Sequence, residues 1–263
     1  MGCLEASPET SVVRLTYTSG VATSRALSST ELKVLLKDPL IRSTGALRGM
    51  FHRSVIVTEA ERDRAFYDEI NRRMQEGTPA TGLVDALFVN ATNWQTTQKI
   101  AGPLRRLGIP APIVLDIDSI ADGNQSDGVW AKVYDACAVR AADKSQFDSE
   151  RAAIQPFVQA VSRATFKKLG VGSLGGPQLV QVQSHIDGLA QYGIFIVPLG
   201  EVEGWLRSLG AAGGKDAWLS DMFLKLGDDR TVAPYVRPTI GDVWDFLAKI
   251  ANWCHDANRL GIP

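Results

Sequence analysis

The chain has 263 residues, 45% of them hydrophobic, which is enough for one large or two small domains with a proper core. Its 28 Lys and Arg nearly cancel 29 Asp and Glu, so no global field draws it to nucleic acid or to an acidic membrane, and any phosphate-binding surface has to come from local patches. Cys3, Cys137 and Cys254 are odd in number, far apart and without a CxxC spacing, which argues against a disulfide framework and a thiolate zinc site and fits a reducing cytoplasm.

The opening MGCLEASPE lacks the apolar stretch of a signal peptide, and Ala6 stands where a myristoylation motif wants Ser or Thr. No run approaches the ~20 apolar residues of a membrane span, so a soluble, unexported, cytoplasmic protein is expected. Residues 11–17, SVVRLTY, predict a short strand, and SSTELKVLLKDP a helix capped by Ser28 to Thr30 and stopped at Pro39. Residues 1–53 read as an N-terminal appendage.

From residue 54 strand and helix patterns alternate: SVIVTE then ERDRAFYDEINRRMQE, DALFVN then WQTTQKIAGPLRRLG, and then APIVLDID. Such alternation predicts an α/β fold, a parallel sheet with crossover helices. Residues 128–170 carry a helical pattern, and VGSLGGPQ, rich in Gly and Pro, reads as a flexible connection. Residues 128–190 are therefore taken as a helical insertion between core segments 54–127 and 191–263. A fourth apolar run, YGIFIVPLGEVEGWL, is followed from Asp216 to Pro263 by two amphipathic helices.

In parallel sheets functional groups gather at the carboxyl ends of the strands, where loops and helix amino termini converge. Glu59, Asn90, Asp116 and Asp118 fall there, and Glu201 and Glu203 follow the fourth run. If the strands starting at Val55, Ile113 and Ile194 lie side by side, Glu59, Asp63, Asp116, Asp118, Glu201 and Glu203 come within reach of one another. Like charges that close raise each other's pKa or need cations between them, and a hard, all-oxygen set suits Mg2+ or Mn2+.

Glu59 and Asp63, four apart, are expected one turn apart at the start of a helix, and Asp116 and Asp118 on one face of a strand end. One or two divalent ions fit such a set, and two ions roughly 4 Å apart stabilise both oxygens of a phosphodiester displacement. The plainer reading is that acids in a first helical turn complement the helix dipole. An apolar run followed by DxD is also shared by unrelated phosphate-handling folds.

Glu59 at the end of VIVTE, Asp116-Ile117-Asp118 at the end of IVLDID and the acidic pair after GIFIVPLG resemble the Toprim domain of topoisomerases, primases and overcoming-lysogenisation-defect (OLD) nucleases. GIFIVPLGEVEGWL is similar to the OLD group in particular, and the resemblance covers roughly residues 12 to 255. It implies a Toprim-like, Rossmann-like and mostly parallel sheet flanked by helices. It also implies a DNA endonuclease or nickase that uses Mg2+ or Mn2+, with Glu59, Asp63, Asp116, Asp118, Glu201 and Glu203 as metal ligands, Glu203 being the better candidate of the last pair. Glu59 and Asp116 would be catalytic, joined by a downstream lysine for which Lys215 in GAAGGKDAW is the nearest candidate and Lys225 and Lys249 the alternatives.

The segment LSSTELKVLLKDPLIRSTGALRGMF is similar to the stretch that follows the ATPase domain in that group. The implied partners are DNA as substrate, an ATPase domain or subunit, and a second copy of the chain; the implied setting is phage defence or processing of DNA ends. GAAGGKD is one residue short of a P-loop, has Asp216 where Ser or Thr would hold Mg2+, and follows no strand, so no ATPase motor is expected within the chain. One departure stands out: Toprim motifs place Gly after the first Glu, where this chain has Ala60, whose methyl is harmless only with φ below zero.

Two alternatives remain. In a haloacid-dehalogenase-type phosphatase, IVLDIDSI would make Asp116 a nucleophile and LGDDRT supply later acids, leaving Glu59 and Glu203 without a role. A Toprim-like module without cleavage would bind nucleic acid or a partner. His52, His185 and His255 read as surface or structural, and the tryptophans as core except Trp94, which is expected to border the cleft. Arg105, Arg106, Arg163, Lys167 and Lys168 are candidates for DNA phosphate contact.

Overall fold

The structure is a computed structural model that describes residues 9–18, 20–121 and 127–263, with the side chains of Thr18, Asp127, Lys215 and Asp216, and the whole of Cys3, outside the description. Strand β1 (Val12–Thr18) matches the expectation and pairs antiparallel with β2 (Val21–Leu27) in a hairpin. The second strand was not legible, because VATSRAL is almost wholly exposed and lacks an apolar alternation. Helix α1 (Ser29–Lys37) starts as the cap dictates: Glu31 N donates to Ser28 Oγ at 3.3 Å, and Ser28 N to Glu31 Oε2 at 2.9 Å. Helix α2 (Pro39–Thr44) follows.

The alternating region forms β3 (Ser54–Thr58), α3 (Glu61–Gln75), β4 (Ala86–Asn90), α4 (Thr97–Arg106) and β5 (Ile113–Leu115). Four helices follow: α5 (Asp127–Ala136), α6 (Ala141–Val161), α7 (Arg163–Leu169) and α8 (Gly176–Gln191). They lead to β6 (Ile194–Ile196), and α9 (Lys215–Leu226) and α10 (Asp242–His255) are the two helices expected after it. The main sheet has the order β4-β3-β5-β6, with every pairing parallel. The protein is thus α/β, with a four-stranded parallel sheet flanked by helices, consistent with a Rossmann-like fold.

Both faces of this sheet are covered. Val55, Val57, Ile113, Leu115, Ile194 and Ile196 pack on one side with Ile100 of α4, Trp130 of α5, Phe147 of α6, Phe166 of α7 and Leu189 of α8. The alternate residues Ile56, Phe88, Val114 and Phe195 pack on the other with Phe66 of α3, Trp218 of α9 and Ile250 of α10. Burial of both faces is why the strands read as unbroken apolar runs.

Three expectations need correction. VGSLGGPQ is not a flexible connection: Gly170–Ser173 forms a 3-10 turn and α8 begins at Gly176. Val171 N donates to Pro198 O at 2.8 Å, and a Cβ on Gly170 would lie 1.9 Å from that same oxygen, so the turn is pinned to the loop after β6. Arg105 is fully buried, where it cannot meet DNA; its guanidinium donates to Ala111 O, Tyr192 O, Gly193 O and Gly261 O and stacks on Trp253. Trp94, expected at the cleft, is instead part of the core, 6% exposed and with its ring 5.7 Å from that of Trp130.

Other readings agree with the structure. Trp205, Trp218, Trp244 and Trp253 are buried, as are the free thiols Cys137 and Cys254. His185 is buried against Glu150, His52 pairs with Asp85 and His255 is exposed. Among the described residues no helix is long and apolar enough to cross a membrane.

Candidate metal centre

Strands β3, β5 and β6 are neighbours and run parallel, so their carboxyl ends open at the same edge of the sheet. Backbone bonds tie the tips together: Val197 N to Leu115 O at 2.8 Å and Ile117 N to Gly200 O at 3.1 Å. The tip of β3 joins them through a side chain, since Asp116 N donates to Glu59 Oε1 at 2.8 Å. The adjacency on which the six acids depend is therefore present.

Glu59 is the last residue before the cap of α3. Ala60 is that cap, with φ −126° and ψ 166°, extended backbone that any residue adopts, so the methyl costs nothing where Toprim motifs carry Gly. Ala60 N donates to Asp63 Oδ2 at 3.1 Å, which fixes the Asp63 carboxylate in the first turn and leaves it 5% exposed. The reading of Asp116 and Asp118 on one strand face is corrected: β5 ends at Leu115 and Ile117–Ala121 is a 3-10 turn. Ser119 closes that turn through its N and Oγ on Asp116 O, at 3.1 and 2.7 Å, so Asp118 leaves the chain from a turn.

Two basic side chains enter the cluster. Lys167 of α7 places Nζ 2.7 Å from Asp118 Oδ2 and 3.6 Å from Glu201 Oε1. Arg62 of α3 places Nε 3.4 Å from Glu203 Oε1 and 3.9 Å from Asp63 Oδ1. Glu201 and Glu203 flank the short turn Val202–Gly204, and both act on Asp63. At the end of β4, Asn90 Nδ2 donates to Glu61 Oε2 at 2.6 Å.

The proton affinities follow from this crowding. Burial pushes Glu59 up to about 8, with the charges of Asp118 and Asp63 adding to it and the hydrogen bond from Asp116 N opposing it. Burial likewise raises Asp116 well above the carboxylate range, helped by Glu59, Asp63, Asp118 and Glu201. Asp63 rises to about 6, again chiefly by burial, with Arg62 pulling it back. The buried phenol of Tyr67, which accepts from Trp205 Nε1 at 2.9 Å, is also raised, first by burial and then by Asp63, Asp116 and Glu59 nearby.

Among the described residues no three His, Cys, Asp or Glu side chains stand ready to hold a metal ion. The donor set nevertheless fits a hard cation: it is all carboxylate, and two of its buried oxygens, Asp63 Oδ1 and Glu203 Oε2, have no hydrogen-bond partner. Lys215 opens α9, with its side chain outside the described residues. Lys225 pairs with Asp221 at 3.8 Å and Lys249 with Asp187 at 3.9 Å, at exposed or partly exposed positions outside the cluster. Arg106 is 4.0 Å from Glu31, whereas Lys168, next in sequence to Lys167, is exposed, its carbonyl accepting from Arg207 Nη2 at 3.2 Å.

Arg62 is the site residue that sequence reasoning missed, and Lys167, expected as a DNA-phosphate contact, is found instead on Asp118 and Glu201. Arg62 had a signal, its place beside Asp63 in the first turn of a helix. The pairing of Lys167 with Asp118 had none, the two lying 49 residues apart. Compared with protein-family models, curated proteins and solved structures, the chain gives no match in any of the three.

Proposed function

We propose that this protein is a Mg2+- or Mn2+-dependent DNA endonuclease or nickase whose centre is built from Glu59, Asp63, Asp116, Asp118, Glu201 and Glu203. The observation that carries this reading is the meeting of six acids from three adjacent strand tips, two of them held above the carboxylate range by burial and repulsion. A protein that keeps such a cluster at a sheet's carboxyl edge bears a cost in stability that a cation removes. A bound divalent ion supplies a Lewis acid for a phosphoryl oxygen and a water acidified to near-neutral pKa.

The chain's own residues do the rest. Glu59, Asp116 and Asp63 would hold the ion, the first two as deprotonated carboxylates and Asp63 through the oxygen that accepts no hydrogen bond. Lys167 holds Asp118 and Glu201 in place, and the exposed Lys168, next to it in the chain, with Arg207 bonded to the Lys168 carbonyl, would receive a DNA phosphate. The likeness of the acidic motifs to OLD nucleases supports DNA as substrate. It suggests an ATPase domain or subunit and a second copy of the chain as partners, and cytoplasmic phage defence as the setting.

The test is nicking of supercoiled plasmid by the full chain in Mg2+ or Mn2+ against EDTA, alongside hydrolysis of a small phosphomonoester. The expected result is metal-dependent nicking that Glu59→Ala and Asp116→Ala each abolish with the fold intact. Equal cleavage by both variants overturns the proposal. Phosphomonoester hydrolysis without nicking favours a phosphatase acting through Asp116, and DNA binding without nicking favours a non-catalytic module.

A further inference from the structure

Four of the six acids already meet a cation supplied by the chain. Lys167 serves Asp118 and Glu201, and Arg62 serves Glu203 and Asp63. Among the described residues no ion pair reaches Glu59 or Asp116; Glu59 raises the proton affinity of Asp116, and Lys167 acts on Glu59 only through space, opposing its rise.

Lys167 is not a loose surface side chain that happens to swing inwards. Gly200 has φ +106°, and a Cβ there would lie 2.3 Å from the carbonyl oxygen of Lys167 itself. Three residues further on, Gly170 packs equally closely on Pro198 O. These two glycines press the carboxyl end of α7 onto the loop after β6, and the backbone that carries Lys167 has a fixed place over that loop. From there the ammonium reaches both Asp118 and Glu201, half-buried, with charge sustained by those neighbours.

The other half of the cluster has a different character. Asp63 Oδ1 is buried, with its side chain 7% exposed, and accepts no hydrogen bond; Asp63 acts electrostatically on both Glu59 and Asp116. An acceptor without a hydrogen bond, whose closest cation is Arg62 Nε at 3.9 Å, beside two carboxylates that form no ion pair among the described residues, is the place where an ion gains most. A second ion on the Asp118–Glu201 side would meet the charge of Lys167.

We propose that Lys167 is a fixed second cation of this centre, so that the protein binds a single divalent ion at Glu59, Asp116 and Asp63 and uses the ammonium where a second ion would otherwise balance Asp118 and Glu201. The inference rests on the metal-dependent reading above and names the stoichiometry and the positioning residue of that site. The ammonium and the ion together then present two positive centres to one phosphate group, as two ions do in two-metal sites.

The experiment is a Mn2+ titration of the full chain at pH 8, following free aqueous Mn2+ by electron paramagnetic resonance, with circular dichroism to confirm that each variant is folded. The wild type is expected to take up one Mn2+ per chain, Lys167→Met two, and Lys167→Arg one. Two ions bound by the wild type overturn the inference, whatever the variants do, and leave the metal-dependent reading standing. A folded Lys167→Met that still binds one also overturns it. No Mn2+ bound by the wild type overturns the metal-dependent reading itself.

Discussion

At the scale of single residues, Glu59 and Asp116 carry the account, because each is held protonated where an ordinary carboxylate is charged. In the unfolded chain Glu59 titrates near its reference value, about 4.3. In the folded chain it titrates near 8. Between these values the native state keeps a proton that the unfolded state has lost, so stability falls as pH rises through that window. Asp116, and Asp63 with its folded value near 6, act in the same direction. The melting temperature in EDTA is therefore expected to decline from pH 5 to pH 8. Glu59→Gln, which keeps the size and removes the titration, flattens that decline. Added Mn2+ raises the melting temperature more at pH 8 than at pH 6, where it has to displace more protons. A melting curve indifferent to pH over this range, or an unchanged slope in Glu59→Gln, contradicts the assignment.

At the scale of elements, the contact between α7 and the loop after β6 sets the shape of the centre. Gly200 is required there twice over, by its positive φ and by the carbonyl of Lys167 against it. Gly200→Ala is expected to cost on the order of 1–3 kcal/mol, read as a lower melting temperature in thermal denaturation. An unchanged melting temperature would show that the two segments separate freely. The contact also explains why VGSLGGPQ misleads as a sequence. Glycine marks a chain that can bend and equally a chain that packs closely, and only the partner, here Pro198, decides between them. The strands were easier to read, since burial on both faces leaves runs such as SVIVT and IFI without a polar residue in the middle. The hairpin partner β2 was hidden for the opposite reason, because neither of its faces is buried for most of its length.

At the scale of the whole molecule, the order β4-β3-β5-β6 makes neighbours of the three apolar runs β3, β5 and β6 whose ends carry acid, so that they share one edge. That order was accessible in outline: alternation of strand and helix dictates a parallel sheet, and parallel strands end at a common edge. The carboxylate partners of the cations were not accessible. Arg62 faces Glu203 only because α3 starts at Glu61, and Lys167 comes from a helix 49 residues beyond Asp118 whose path depends on packing across one face of the sheet. Arg105 makes the same point in reverse. As a sequence it is a basic residue on an amphipathic helix, but in the fold it is buried, hydrogen-bonded to carbonyls at the amino ends of β5 and β6 and to the C-terminal segment. Charge alone does not say whether an arginine faces solvent, substrate or the chain's own backbone. The most direct test of the central claim is anomalous diffraction from crystals of the protein soaked in Mn2+. The account predicts a manganese peak in contact with the carboxylates of both Glu59 and Asp116. Fully soaked crystals with no peak at the tips of β3 and β5 would contradict it.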